Sequence, residues 1–293
     1  MKWAGGKTRI LGELTSRMPP RFNRLVEPFV GGGAVFFATG VEGAILGDVN
    51  EDLVELYAEV ARDPIGLHER LRELFDRHAI EPGDTFYGGR TAWNESRARW
   101  APQRRAATFL YLNKTCFNGL FRVNRAGEFN VPVGRPSAKT VTCPSLPQLV
   151  AAGSLLRTAT ISCRDYVETI AHAEDGDFVY LDPPYLALPR VAKSPAPESG
   201  RRRESTRSFS DYTQRGFGED DHRELARHAR ALVERGVHVM ASNADVPLAR
   251  ELYASGFEVA EIVSTRPISA SAAGRKAVGE LIFTSYSPSR GSA

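Results

Sequence analysis

DFVYLDPPY, residues Asp177–Tyr185, decides how the rest of this chain is read. Phe178, Val179, Tyr180 and Leu181 form a short apolar run of strand formers, the pattern of a parallel strand buried on both faces. Asp182 falls where that strand should end, and Pro183 and Pro184 stop the ladder because neither can donate a backbone hydrogen bond. Tyr185 follows on the loop. Open α/β sheets bind ligands in the crevice beyond the carboxyl ends of their strands, so an acid, two rigid carbonyl-bearing residues and an aromatic ring are presented to a pocket. The same letters also fit a strand, an Asx-type turn and a packing tyrosine, and the motif alone leaves both readings open.

Toward the N-terminus, Arg24–Phe29 predicts a strand running into Val30, Gly31, Gly32 and Gly33, with a helix over Ala34–Ala38. A glycine loop between strand and helix lets the backbone approach a ligand closely, although the spacing is not G-x-G-x-x-G. A second strand, Ala44–Gly47, ends at Asp48, 17 residues beyond Gly31. That is near the roughly 20-residue offset at which nucleoside-binding folds carry the carboxylate for ribose hydroxyls. Asp48 could instead cap a helix over Glu51–Val60. These pieces predict the first half of a doubly wound sheet with a nucleoside-like ligand. Strands over Thr158–Ser162, Phe178–Asp182, Val237–Ser242, Phe257–Val263 and Gly279–Thr284, with helices over Asp221–Arg235 and Pro247–Ala254, continue it.

From Asp63 to Lys139 the alternation of strand and helix breaks down. Helical patterns at Ile65–His78 and Arg104–Leu112 are separated by a turn-rich Glu81–Gly89. Thr115–Arg135 predicts a β-hairpin whose arms, Phe121–Val123 and Glu128–Val131, flank a turn at Asn124–Gly127. Between Arg104 and Lys139 stand Arg104, Arg105, Lys114, Arg122, Arg125, Arg135 and Lys139 against one acid, Glu128. Interleaved with Phe117, Phe121, Asn118, Asn124 and Asn130, that excess suits a nucleic acid, though a solvated basic face carries the same letters. Leu186–Arg207 is a long basic stretch without periodicity, directly after the central motif.

Composition excludes little. A net charge of +3 does not by itself announce a polyanionic partner, so the distribution of charge matters more. Cys116, Cys143 and Cys163 are odd in number and widely spaced, which argues against a disulfide framework or a zinc cluster. No apolar leader and no apolar run of about 18 residues appears, so the expectation is a cytoplasmic protein without a membrane span.

Taken together, KWAGGK (Lys2–Lys7), EPFVGGG (Glu27–Gly33), GDVNEDL (Gly47–Leu53), FNGLFRVNRAGEFNVPVGR (Phe117–Arg135), DPPY (Asp182–Tyr185) and SNAD (Ser242–Asp245) resemble, in content and order, the Dam-type DNA adenine-N6 methyltransferases of the D12 class. RPIS (Arg266–Ser269), RKAVGELI (Arg275–Ile282), and the spacing of Phe209, Tyr212, Phe217, Asp221 and His222 extend the likeness almost to the C-terminus. Two features depart from it: Phe117 stands where Tyr is common, and Leu186–Arg207 is longer than usual.

The resemblance implies an α/β fold, a Rossmann-like S-adenosylmethionine-dependent methyltransferase sheet with an inserted, mostly helical target-recognition domain carrying a β-hairpin. Residues 1–60 with 140–293 would form the catalytic domain and 61–139 the target-recognition domain. It implies S-adenosyl-L-methionine as methyl donor, S-adenosyl-L-homocysteine as product and no metal. The partner would be double-stranded DNA at GATC, met by a monomer in the cytoplasm and associated with the nucleoid when bound. Asp182, Pro183 and Tyr185 would be catalytic: the carboxylate and the Pro183 carbonyl accept the amine hydrogens of a flipped-out adenine, and Tyr185 stacks on it. Trp3, Lys7, Phe29, Gly31, Gly33, Asp48 and Asp182 would surround the cofactor, with Lys7 on its carboxylate and Asp48 on its ribose. Lys2, Phe117, Asn118, Leu120, Arg122, Asn124, Pro132 and Arg135 would contact DNA.

Four other readings compete. A cytosine-N4 methyltransferase uses the same pocket logic, but Asp182 and the motif order favour adenine. Protein-glutamine methyltransferases usually carry Asn at that position. An inactive DNA-binding homologue is disfavoured by the intact DPPY, and a nucleotide-dependent dehydrogenase by the absence of a regular G-x-G-x-x-G.

Overall fold

The computed structural model describes residues 1, 3, 5–134, 141–186, 217–264 and 278–288. Helix α1 (Leu11–Thr15) precedes strand β1 (Leu25–Glu27), and helix α2 (Ala34–Thr39) leads to β2 (Ile45–Asp48) and helix α3 (Glu51–Arg62). Helices α4 (Pro64–Ile80), α5 (Pro82–Ser96), α6 (Pro102–Thr115) and α7 (Leu146–Leu156) follow before the chain re-enters the sheet. The remaining elements are β3 (Thr160–Cys163), α8 (Tyr166–Ile170), β4 (Phe178–Leu181), α9 (Glu219–Glu234), β5 (His238–Ala244), α10 (Pro247–Tyr253), β6 (Glu258–Ser264) and β7 (Val278–Thr284). The seven-stranded sheet runs in the order β3-β2-β1-β4-β5-β7-β6. The first five of these strands are parallel, and β7 is antiparallel to both β5 and β6.

Strand β4 explains why its sequence is apolar throughout. Phe178 and Tyr180 face a core shared with Leu25, Leu46, α3, α4 and α6, while Val179 and Leu181 face one built with α8, α9 and α10. Both faces are covered, as a parallel sheet requires. The strand is anchored at its start: the Arg24 guanidinium grips buried Asp177 through Nε (3.2 Å) and Nη2 (2.7 Å), fixing the head of β1 beside the head of β4.

The predicted strands and helices of the sheet region are present, with ends shifted by one to a few residues. One expectation fails. Glu81–Gly89 is the first part of helix α5, not a turn: Pro82 opens the helix, and Phe86 and Trp93, seven residues apart on one face, are buried deeply enough to override Gly88 and Gly89. The predicted hairpin is present but short: Val123 bridges Phe129 and Cys116 bridges Val133 in antiparallel fashion, with the Asn124 N–H donating to the Glu128 carbonyl and the Asn130 N–H to that of Arg122. Its turn is as expected, with the Asn124 carboxamide oxygen accepting from the backbone N–H groups of Ala126 and Glu128. The N-cap of α3 is Asn50 rather than Asp48. Lys2, Arg135, Lys139, Phe209, Tyr212, RPIS and all of Leu186–Arg207 but Leu186 lie outside the described residues. Among the described residues, no helix is long and apolar enough to cross a membrane.

Replacing Arg24 by Met leaves the Asp177 carboxylate buried without its main cation. We expect this to cost roughly 2–4 kcal/mol of stability in urea unfolding, with the slope of the transition unchanged.

Candidate active site

Strands β1 and β4 are neighbours, yet the chain leaves β1 toward β2 and β3 and leaves β4 toward β5. The crevice at such a reversal is where doubly wound sheets place their ligands. Two loops diverge there: Glu27–Gly33 after β1, and Asp182–Leu186 after β4.

Asp182 lies largely out of water. Lys7 Nζ stands 2.6 Å from its Oδ1, and the Ser242 hydroxyl donates to the same oxygen at 2.9 Å. Burial pushes the Asp182 carboxyl above the usual range, while Lys7 and Ser242 pull it back. The Ser242 oxygen also lies 2.9 Å from the buried Tyr180 hydroxyl. Lys7 Nζ, itself buried, donates to the Gly5 carbonyl at 2.6 Å and sits 4.4 Å from the centre of the Tyr185 ring. The Tyr185 hydroxyl donates to Glu280 Oε2 at 3.1 Å, and burial raises its pKa well above the usual phenolic value. Carboxylate, ammonium and ring therefore border one space. Pro183 is buried beside them.

The glycine loop forms the facing wall. Gly31 (φ +45°) and Gly33 (φ +64°) adopt left-handed backbone, and a Cβ on Gly31 would come within 2.9 Å of the Trp3 indole. Trp3 lies against that loop and stacks on Phe121, ring centres 6.0 Å apart. Asp48 closes the loop from below: Oδ2 accepts from the Gly31 N–H (3.0 Å) and Oδ1 from the Asn50 N–H (2.9 Å), while burial raises its pKa against these bonds. The Tyr57 hydroxyl donates to the Gly31 carbonyl at 2.6 Å. Phe29 stacks on Tyr166, centres 5.5 Å apart.

Sequence reasoning passed over Glu27. It ends β1 fully buried, and among the described residues its Oε1 has no hydrogen-bond partner. Burial pushes this carboxyl up to about 8, the Phe36 backbone amide restrains it and the Asp182 charge adds to it. An acid closing an apolar strand, Leu25-Val26-Glu27, was the available signal. Ser242 lay within the quoted SNAD and Glu280 within the quoted RKAVGELI, but the place of Glu280 beside Tyr185 depends on the antiparallel pairing of β7.

On the opposite side, α5 holds the hairpin. Arg90, Asn94 and Arg97, at helical spacing, donate to the carbonyls of Val131 (3.1 Å), Phe129 (3.1 Å) and Gly127 (3.2 Å). Asn94 also accepts from the Phe129 N–H. Phe117 is exposed at a 3-10 turn, and its N–H bonds to the Pro132 carbonyl at 2.9 Å. Asn118 is left-handed (φ 56°) and exposed, and Leu120 is half-buried. Arg122 is exposed, with Nε held by Asn130 at 2.8 Å. The Asn124 side chain is spent on its own turn. Arg105 does not contribute to an outward basic face: it is paired with Glu51 and Glu55 on α3.

The family model for the D12 class N6 adenine-specific DNA methyltransferases matches residues 3–195 and 201–268. The chain belongs to this family. It is 36% identical over 284 residues to a DNA adenine methylase of Escherichia coli K12, covering 96% of this chain and 93% of that one. It is 33% identical to the type II methyltransferase M1.LlaDCHI of Lactococcus lactis subsp. cremoris (97% and 94% covered), and 35% identical to M.MjaIII of Methanocaldococcus jannaschii (98% of each). The protein is thus an adenine-specific DNA methyltransferase on a Rossmann-like sheet.

Glu27 gives this methyltransferase a pH signature. The folded chain keeps the Glu27 proton up to pH of about 8, whereas an unfolded glutamate loses it near its ordinary value of 4.5. The group therefore costs nothing below the lower value, and its penalty grows until the higher one is passed. Glu27→Gln should be indistinguishable from wild type at pH 4.5 in urea unfolding and more stable at pH 8.5, by at most about 5 kcal/mol at about 1.4 kcal/mol per pKa unit.

Proposed function

We propose that this enzyme transfers a methyl group from S-adenosylmethionine to N6 of an adenine rotated out of duplex DNA, within GATC. The observation that carries the reading is Lys7 Nζ, a nitrogen bearing hydrogens, lying at once against the Asp182 carboxylate and over the Tyr185 ring. An amino-purine needs the same pair of surfaces: an acceptor for its N–H groups and a plate for its ring. The amine is a weak nucleophile because its lone pair is delocalised into the base. Asp182 and the Pro183 carbonyl, by accepting its two hydrogens, favour a pyramidal nitrogen and stabilise the positive charge that grows on it during transfer. Tyr185 holds the ring plane. Since the amine is out of reach inside a duplex, the base leaves the stack at a cost of a few kcal/mol, offset by pocket and phosphate contacts.

The residues present fit the cofactor. Gly31 and Gly33 let the loop backbone pack tightly on Trp3 and Phe37, where a Cβ would clash, Asp48 sits at the end of β2, the position from which such folds hold ribose hydroxyls, and the Glu27 oxygen that has no partner among the described residues suits a cationic ligand. Bound there, S-adenosylmethionine supplies the electrophilic sulfonium methyl. Trp3, Lys7, Phe29, Asp48 and Asp182 would hold and orient it.

Residues 61–139 serve in this reading as the target-recognition domain. Phe117 enters the stack beside the extruded base, and Asn118, Leu120, Arg122 and Pro132 lie at base edges, with Lys2 and Arg135 on the same duplex. The exposed 3-10 turn and the α5 clamp support that role, because base reading needs a loop that is both presented and rigid.

Asp182→Asn should fold normally and lose at least about 100-fold in single-turnover methyl transfer from labelled cofactor to a GATC duplex. Because the Asp182 pKa is raised, the wild-type rate should fall on acidification with an apparent pKa above that of an ordinary aspartate. A wild-type rate in Asp182→Asn contradicts the assignment. Arg122→Ala should cost about 1–3 kcal/mol of discrimination at one base pair. Equal weakening on all sequences would make Arg122 a phosphate contact, and equal labelling of scrambled duplexes would reject GATC.

A further inference from the structure

His222 and Asn243 bracket the DPPY loop from outside the reacting space. His222, in the first turn of α9, is buried, and its Nε2 lies 3.0 Å from the Pro184 carbonyl oxygen. A carbonyl can only accept, so Nε2 carries the hydrogen and Nδ1 the lone pair. That lone pair faces Asn243 Nδ2 at 3.5 Å. The orientation of the buried Asn243 amide is settled by its oxygen, which accepts from the backbone N–H groups of Leu186 (3.2 Å) and Ala244 (2.8 Å). Each donor therefore meets an acceptor along the whole series. The Phe217 ring packs edge-on against the imidazole, centres 4.8 Å apart, and burial lowers the His222 pKa to about 4, keeping the ring neutral as the series requires.

The two anchored groups are the peptide units on either side of Tyr185. The Pro184 carbonyl belongs to the unit before it and the Leu186 N–H to the unit after it. With both planes held from outside, the φ and ψ of Tyr185 are set, and with them the direction of its Cα–Cβ bond. The pyrrolidine rings already fix φ at Pro183 and Pro184. Neither proline can join the sheet by an N–H, so the clamp holds the loop where the ladder cannot.

We propose that His222 and Asn243 are positioning residues for methyl transfer: they act through the backbone of Tyr185 to fix its ring, and the acceptors at Asp182 and Pro183, relative to the target base. This rests on the adenine-slot reading above. It requires that loosening the clamp slow the chemical step while leaving cofactor binding alone, since a misplacement of about 1 Å at a reacting centre costs roughly 100-fold.

The test is single-turnover transfer to a duplex containing the site, with cofactor affinity measured in parallel by fluorescence titration. His222→Leu, which removes the donor, should lose about 30- to 300-fold in rate with a cofactor Kd within about three-fold of wild type. His222→Gln, which keeps a donor near the Nε2 position, should recover at least about ten-fold of that loss; His222→Asn, too short to reach Pro184, should not. The His222→Leu and Asn243→Leu losses should be non-additive, because either one opens the same clamp. If His222→Leu does not fold, the Gln and Asn variants decide by the same ten-fold difference. Wild-type rates in the His222 variants, equal rates for Gln and Asn, or a loss confined to cofactor Kd would overturn the proposal. Asp182→Asn serves as the control: if it retains activity the slot reading itself fails, whereas dependence on Asp182 with indifference to His222 rejects only the clamp.

Discussion

A carboxylate taken out of water at the end of β4 is the constraint that ties this structure together. Burying an ion costs several kcal/mol unless it is paired and hydrogen-bonded. Asp182 meets both conditions with partners from distant parts of the chain: Lys7 from the N-terminal segment and Ser242 from β5. Lys7 is itself buried, so the N-terminal segment must fold over the sheet, where the Gly5 carbonyl takes another of its hydrogens. The same exclusion of water strengthens every interaction in the slot. One charge thus organises the N-terminus, the central strand and its neighbour around a single point.

The constraint also shows what was legible in the sequence. Buried parallel strands read as apolar runs, so β4 and most of its neighbours stand out, and prolines after Asp182 mark where the ladder must stop. Glycines with positive φ fall where the loop meets Trp3 (Gly31) and Phe37 (Gly33), and that loop was visible for the same reason. Helix α5 was hidden because Gly88 and Gly89 speak against a helix locally, and only the tertiary burial of Phe86 and Trp93 outweighs them. The hairpin arms read as strands because Phe121, Val123, Phe129 and Val131 suit them, yet most of the stretch is held by α5 rather than by a ladder.

Missing α5 mattered more than one helix. Arg90, Asn94 and Arg97 line up only if 82–96 is helical, and their targets at 131, 129 and 127 alternate along an extended segment. A helix repeating every 3.6 residues and an extended chain repeating every two can stay in step over this short distance. The basic count of the region was likewise misleading. Arg105 belongs to an ion-pair group with α3 and is answered within the fold, whereas Arg104, lying over Trp100, and Arg122 and Arg125 are exposed.

The antiparallel strand resolves the remaining puzzle, the origin of the group that holds the Tyr185 hydroxyl. In a wholly parallel sheet only the ends of strands reach the ligand crevice. Strand β7 runs the other way between β5 and β6, so it brings its beginning to that edge: Glu280 pairs with Ala244, at the end of β5. A residue from the last described strand thereby stands beside Asn243 and Tyr185, and the hydroxyl is held by a group that no parallel continuation could have delivered. Insertion of β7 thus does two jobs with one strand: its centre, Leu281 to Phe283, is buried in the core, and its start completes the wall of the slot.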